Sequence, residues 1–224
     1  METYALFGFE DPIDSWSHLL GALAVGVLLF HLFKKEGIGR KRPWPVLIYG
    51  FSCLFLLSMS GIYHSVSRDL STTRYVLRVV DHAGIFLMIA GSLISIHMIL
   101  FKGMLKWVVI ILASVIALLG ITFGSIYFKQ LPEFLTHIVF ISFGCLGIIS
   151  VVGILKLKDA LSIKYVIYGG LAYTIGACID MFKYPWIVPG YFGPHELFHI
   201  AVLLGVAYHW AFILQSIRRL EAAH

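Results

Sequence analysis

Seven apolar runs, each about as long as a bilayer is thick, account for nearly all of this chain. Only 13% of its 224 residues are charged and 59% are hydrophobic, against roughly 25% charged in a soluble domain. A backbone in hydrocarbon must satisfy its own hydrogen bonds, and a helix of about 20 residues does so while crossing. The chain therefore reads as an all-α, integral membrane bundle of seven transmembrane helices in a single domain, with no room left for a soluble domain. The expected spans run from about Ser15 to Phe33, Trp44 to Ser65, Thr73 to Phe101, Leu105 to Phe128, Phe134 to Leu155, Ile163 to Phe182 and Pro194 to Ile217. Pro132 marks one turn, and Pro194 suits the first turn of the last helix.

The net charge of +5 does not indicate nucleic acid, because the basic residues lie mostly in loops between apolar runs. The loops after the first, third and fifth spans, with the C-terminal end, carry twelve Lys and Arg; the opposite side carries five. The positive-inside rule then places the C-terminus in the cytoplasm and the N-terminus outside. The acidic stretch Met1 to Asp14 lacks the basic start and cleavage site of a signal peptide. Cys53, Cys145 and Cys178 are isolated inside apolar segments and are expected to be small packing residues. The five tryptophans sit mostly near span ends, as an interfacial belt.

Polar residues inside apolar spans are costly and are usually functional. In an alternating seven-helix bundle those of this chain fall mostly at one membrane face: Asp14, His18, Ser60, His64, Asp81, His82, His137, Asp180, His195, Glu196 and His199. His195 and His199 share one helix face at i,i+4 spacing, and His64 lies at matching depth. Three imidazoles and a nearby carboxylate suit a zinc ion that keeps an open position. The plainer alternative is that these histidines cap backbone or pair with Asp81 and Glu196. Asp81 suits either a base that holds a water and takes its proton or a partner to a metal-bound histidine. Ser60, one turn before His64, can steady a substrate carbonyl or bond the backbone carbonyl of Leu56. Asp14 or Ser15 reads as a helix cap, His82 as facing elsewhere, His137 and Asp180 as pocket lining or, preferably, interfacial, and Glu196 as lying near the headgroups.

Three blocks carry a wider resemblance: Ser60-Gly-Ile-Tyr-His64, then Arg78-Val-Val-Asp81-His-Ala-Gly84 through Gly91-Ser92, then Pro194-His195-Glu-Leu-Phe-His199. With the opening Asp11-Pro12-Ile-Asp14-Ser-Trp-Ser-His18, the chain resembles the hemolysin III family, the bacterial branch of the progestin and adiponectin receptor (PAQR) group. The resemblance implies a seven-helix membrane fold and a zinc site formed by His64, His195 and His199. It further implies that Asp81 acts through water and that Ser60 is close by. The animal receptors of the group have a cytoplasmic N-terminus, the reverse of what the charge count gives here. The wider superfamily includes ceramidases that hydrolyse lipid amides. The leading expectation is a zinc-dependent hydrolase with a membrane lipid as substrate. Its rivals are a sensor or regulator of lipid state with structural zinc, and a cytolytic pore-former.

Overall fold

The computed structural model describes residues 9–34, 43–156, 160–189 and 191–222. Among the described residues eight helices make seven spans: α1 (Pro12–Lys34), α2 (Pro43–Ser65), α3 (Ser71–Leu100), α4 (Gly103–Ile126), α5 (Glu133–Gly144), α6 (Gly147–Lys156), α7 (Ala160–Phe182) and α8 (Pro194–Ala222). All seven spans are long and apolar enough to cross a membrane, and no strand occurs among the described residues. The expected fold is therefore the observed one. The basic loop after the first span, residues 35–42, lies outside the described residues, as does Lys158.

The fifth span departs from the expected single helix. It is built from α5 and α6, with a break at Cys145 and Leu146. There the backbone tightens: Leu146 N–H donates to Phe143 O at 3.2 Å and Ile148 N–H to Cys145 O at 3.0 Å. These are i to i−3 bonds. Gly144 and Gly147 flank the break, and glycine is a poor helix former. Both halves together still cross the bilayer.

Helix α1 starts earlier than expected because Asp11 and Pro12 form its first turn. Pro12 needs no N–H partner at that position, and Ser15 N–H donates to Asp11 O at 3.0 Å. Asp11 N–H in turn donates to His64 O at 3.0 Å. The start of α1 is thus sewn to the end of α2.

The main packing seams join α7 to α8, α2 to α3, α1 to α2 and α3 to α4. Outward residues such as Leu118 of α4 and Leu23 of α1 are exposed and apolar, as lipid contact requires. Inside, Tyr49, Leu57, Phe212, Ile213 and Ile217 are fully buried. Of the cysteines, only Cys53 is buried; Cys145 is exposed at the break in the fifth span. Trp210 is not part of a belt: it is buried against the Tyr49 ring, centroids 5.2 Å apart.

Glycines let the seams close, since backbones without side chains approach most nearly. A Cβ on Gly91 would lie 2.8 Å from Ser52 Cβ across the α2–α3 seam, while one on Gly124 would meet only the Phe86 ring at 3.7 Å. Gly91→Ala is expected to destabilise the protein by about 1–3 kcal/mol through overpacking. Gly124→Ala is expected to be neutral or mildly stabilising. Melting temperatures of the two variants in detergent provide the check.

Candidate metal centre

Each of three imidazoles reaches the same point from a helix end. His64 is in the last turn of α2, and His195 and His199 stand on the first two turns of α8. One ligand atom from each lies within 4.8 Å of the others. His64 Nε2 and His195 Nε2 are 3.2 Å apart. Two ligands of a tetrahedral ion at 2.0–2.1 Å would be separated by about 3.3 Å.

The other ring nitrogens explain why those two meet. His64 Nδ1 lies 3.1 Å from Asp11 Oδ2, and His195 Nδ1 lies 3.3 Å from Asp180 Oδ1. If each Nδ1–H donates to its carboxylate, each Nε2 presents a lone pair. Two lone pairs facing each other repel unless a cation or proton sits between them. His199 Nδ1 is 3.8 Å from Asp14 Oδ1. Two of the imidazoles thus have a carboxylate hydrogen-bonded behind them, the arrangement that orients metal-bound histidines, and the third has one nearby without a formed bond. Among the described residues, Asp14 Oδ1, His199 Nδ1 and both nitrogens of His18 are buried without a hydrogen-bond partner. His18 stacks on His199 with ring centroids 3.8 Å apart. The donor set and its backing carboxylates fit a metal ion.

The carboxylates are themselves held. Asp11 receives Arg74 Nη2 at 2.5 Å and Arg68 Nη2 at 3.1 Å. Asp180 receives His137 Nε2 at 2.8 Å and Lys183 Nζ at 3.1 Å. His137 and Asp180 are thus buried parts of the network rather than interfacial residues. Asp14 faces the cluster rather than serving only as a cap. Glu196 is buried instead of lying among headgroups: its Oε2 accepts the Gly193 N–H at 2.8 Å. Gly193 precedes Pro194 at the start of α8, so Glu196 reaches back three residues as in a capping box. His82 turns toward the Phe128 ring, centroids 4.9 Å apart, as its position one residue from Asp81 requires.

Ser60 and Asp81 line the same cavity as the three histidines. Both are buried, and Ser60 interacts with the Asp81 carboxyl. Among the described residues Asp81 makes no direct hydrogen bond to His64, His195 or His199, although it lies within electrostatic reach of His195. Its Oδ2 lies 3.9 Å from His82 Nδ1. Asp81 and the three imidazoles line one cavity.

The cavity has a volume of about 730 Å³, within the range of small-molecule sites. It begins at the imidazoles and runs inward along a stripe of α8, through Val202 to His209, between walls from α3, the fifth span and α7. Ile85, Ile89, Leu93 and Ile96 make its α3 wall largely apolar.

Sequence reasoning gave Asp11 no role of its own, although an Asp-Pro pair before an apolar run signals a helix start. It also assigned no partner to Asp180, whose position within a span called for one.

The family model described as "Haemolysin-III related" matches residues 9–210. The "Hemolysin-3 homolog" of Bacillus subtilis (strain 168) is 26% identical over 88% of this chain and 90% of that protein. "Heptahelical transmembrane protein 1" of Arabidopsis thaliana is 24% identical over 93% of this chain and 70% of its own length. The "ADIPOR-like receptor IZH1" of Eremothecium gossypii is 26% identical over 92% of this chain and 72% of its own. The match covers six spans, reaches into the seventh and contains all three imidazoles: this chain belongs to the hemolysin III family, within the PAQR group, as a multi-pass membrane protein.

Proposed function

We propose that the protein is a zinc-dependent membrane hydrolase that cleaves an amide bond in a lipid. The observation that carries this reading is the meeting of three imidazoles, two of them backed by carboxylates, at the polar end of an apolar cavity. His64, His195 and His199 would hold the ion. When bound, zinc supplies Lewis acidity, polarising a carbonyl and lowering the pKa of a water.

The chain's own groups do the rest. Asp81 accepts the proton of the attacking water and returns it to the leaving amine. The Ser60 hydroxyl donates to the developing oxyanion. Asp11 and Asp180 hold the His64 and His195 rings so that Nε2 faces the site. The apolar wall from Ile85 to Ile96 takes the hydrocarbon chain, and the headgroup stays near Arg78 and Lys183 at the cavity mouth. The substrate enters laterally from the bilayer, alongside the loosely packed fifth span.

A second reading is a sensor of lipid state in which the ion is structural. The names of relatives favour it, since two are called "ADIPOR-like receptor" and "Membrane progestin receptor". The chain's orientation is a further part of the proposal. Arg218 and Arg219 at the end of α8, with Lys156 at the end of α6, support a cytoplasmic C-terminus. The imidazoles then lie in the outer half of the membrane.

Purified wild type is expected to hold about one equivalent of zinc, and His195→Ala to hold almost none, by metal analysis. Asp11→Asn and Asp180→Asn should weaken zinc affinity by roughly 10–100-fold in chelator competition. Undiminished zinc in His195→Ala removes the ligand assignment.

Fatty-acid release from lipid amides is expected from wild type. Asp81→Asn should retain zinc and lose roughly 10²–10⁴-fold in rate. Wild type that binds zinc yet releases no fatty acid sinks the hydrolase and leaves the sensor. A C-terminal green fluorescent protein fusion should fluoresce and a C-terminal alkaline phosphatase fusion should be inactive; the opposite pair of results inverts the orientation.

A further inference from the structure

The inner end of the cavity carries a second set of polar groups, well away from the imidazole cluster. His209 of α8 and Tyr173 of α7 both line the cavity. His209 is only 6% exposed. The Tyr173 hydroxyl comes near Tyr49 and His209 comes near the Val166 backbone, but among the described residues neither His209 nitrogen nor the Tyr173 hydroxyl makes a hydrogen bond of good geometry. Their rings meet edge to face, with centroids 5.5 Å apart.

This pairing is built into the backbone of both helices. A Cβ on Gly169 of α7 would lie 2.5 Å from His209 Nε2, and one on Gly205 of α8 would lie 2.5 Å from the Tyr173 ring. Each helix thus has a glycine where the polar ring of the other is seated. A buried polar group left unmatched costs about 1–3 kcal/mol, and here three such atoms share one place. Both residues line the cavity, which offers space for a partner.

The required partner is small and uncharged, and it both donates and accepts. Neutral imidazole offers one N–H and one lone pair, and the phenol offers an O–H and lone pairs. A hydroxyl satisfies this set. A carboxylate or ammonium does not, because no opposite charge stands nearby among the residues that line this end. His209 is fourteen residues beyond His195 on nearly the same face of α8, a rise of about 21 Å, the length of an extended chain of roughly sixteen carbons.

We propose that His209 and Tyr173 form a hydroxyl-binding subsite at the inner end of the cavity, selecting an amphiphile whose chain bears a hydroxyl near its far end. The inference shares with the proposed function only the entrance of a chain amphiphile into the cavity. It needs neither metal nor turnover. The same chemistry can be met by water alone, which the test separates.

Equilibrium binding of radiolabelled palmitoylethanolamide and its ω-hydroxy analogue to metal-free, detergent-solubilised protein decides the matter. Wild type should bind the ω-hydroxy compound about tenfold more tightly, the worth of one well-made hydrogen bond. His209→Leu should erase that preference without weakening the unsubstituted compound. Tyr173→Phe keeps its ring in the Gly205 socket, deletes only the hydroxyl, and should reduce the preference if His209→Leu does not fold. Equal affinities in wild type mean that water fills the subsite, and they overturn the proposal while leaving the hydrolase reading intact. A preference that survives both variants places the hydroxyl elsewhere and also overturns it. Binding of neither compound removes the chain from the cavity and sinks the subsite together with the lipid part of the proposed function.

Discussion

The meeting of His64 Nε2 and His195 Nε2 at 3.2 Å governs the polar end of this bundle. Two facing lone pairs repel unless a cation or proton lies between them, and each ring is held in this pose from behind. Asp11 fixes one and Asp180 the other. Asp11 belongs to the start of α1 and Asp180 to the end of α7, while the rings belong to α2 and α8. A single non-covalent junction therefore ties four of the seven spans at one face. The carboxylates are satisfied in turn by Arg74, Arg68, His137 and Lys183. Buried charge is tolerable only when paired in this way, and the outermost pairs reach the half-exposed side chains at the rim.

The same network separates holding from reacting. Asp11, Asp14 and Asp180 each stand behind an imidazole. Asp81 does not: it sits with Ser60 on the cavity wall, free of direct hydrogen bonds to the three rings among the described residues. Of five buried carboxylates near one centre, Asp11, Asp14 and Asp180 stand behind imidazoles, Glu196 caps α8, and Asp81 lies on the cavity wall. Loss of any of the three moves a ring, whereas loss of Asp81 leaves the ring geometry intact.

The spans were legible because hydrocarbon leaves the backbone so few options; hydropathy alone marked α2, α4 and α8 to within a few residues at most ends. The ligand trio was legible because His195 and His199 are on adjacent turns and His64 had to end its span on the same side. The second layer was less so. A helix-wheel argument places a side chain on a face but does not say which neighbouring helix supplies its partner, so the link from Asp180 to His137 and His195 needed three-dimensional packing. Glu196 was misread because its face was judged against the ligands, when its backbone position, three residues after Gly193, made it a cap. The break in the fifth span was visible only as two glycines three residues apart, a weak signal in a run of strongly apolar residues.

Glycines in this chain do two opposite things, and together they account for the cavity. At Gly61, Gly84 and Gly91 the missing side chain lets neighbouring spans close until an added Cβ would press on Leu19, Leu56 and Ser52. At Gly144, Gly147 and Gly170 an added Cβ would meet nothing within 4 Å, and all three line the cavity. Those residues sit on the fifth span and α7, opposite the tightly packed α2–α3 side. An unfilled apolar space is destabilising in proportion to its volume, so a chain that leaves about 730 Å³ open forgoes packing it could have made with larger side chains. In water that loss would have no remedy. In a bilayer the surrounding solvent is itself hydrocarbon chain, and on the proposed reading a lipid chain entering beside the broken fifth span would restore the missing contacts. On that reading the void and the polar groups at its two ends form one feature: space for a chain, with imidazole at the headgroup level and imidazole again where that chain would stop.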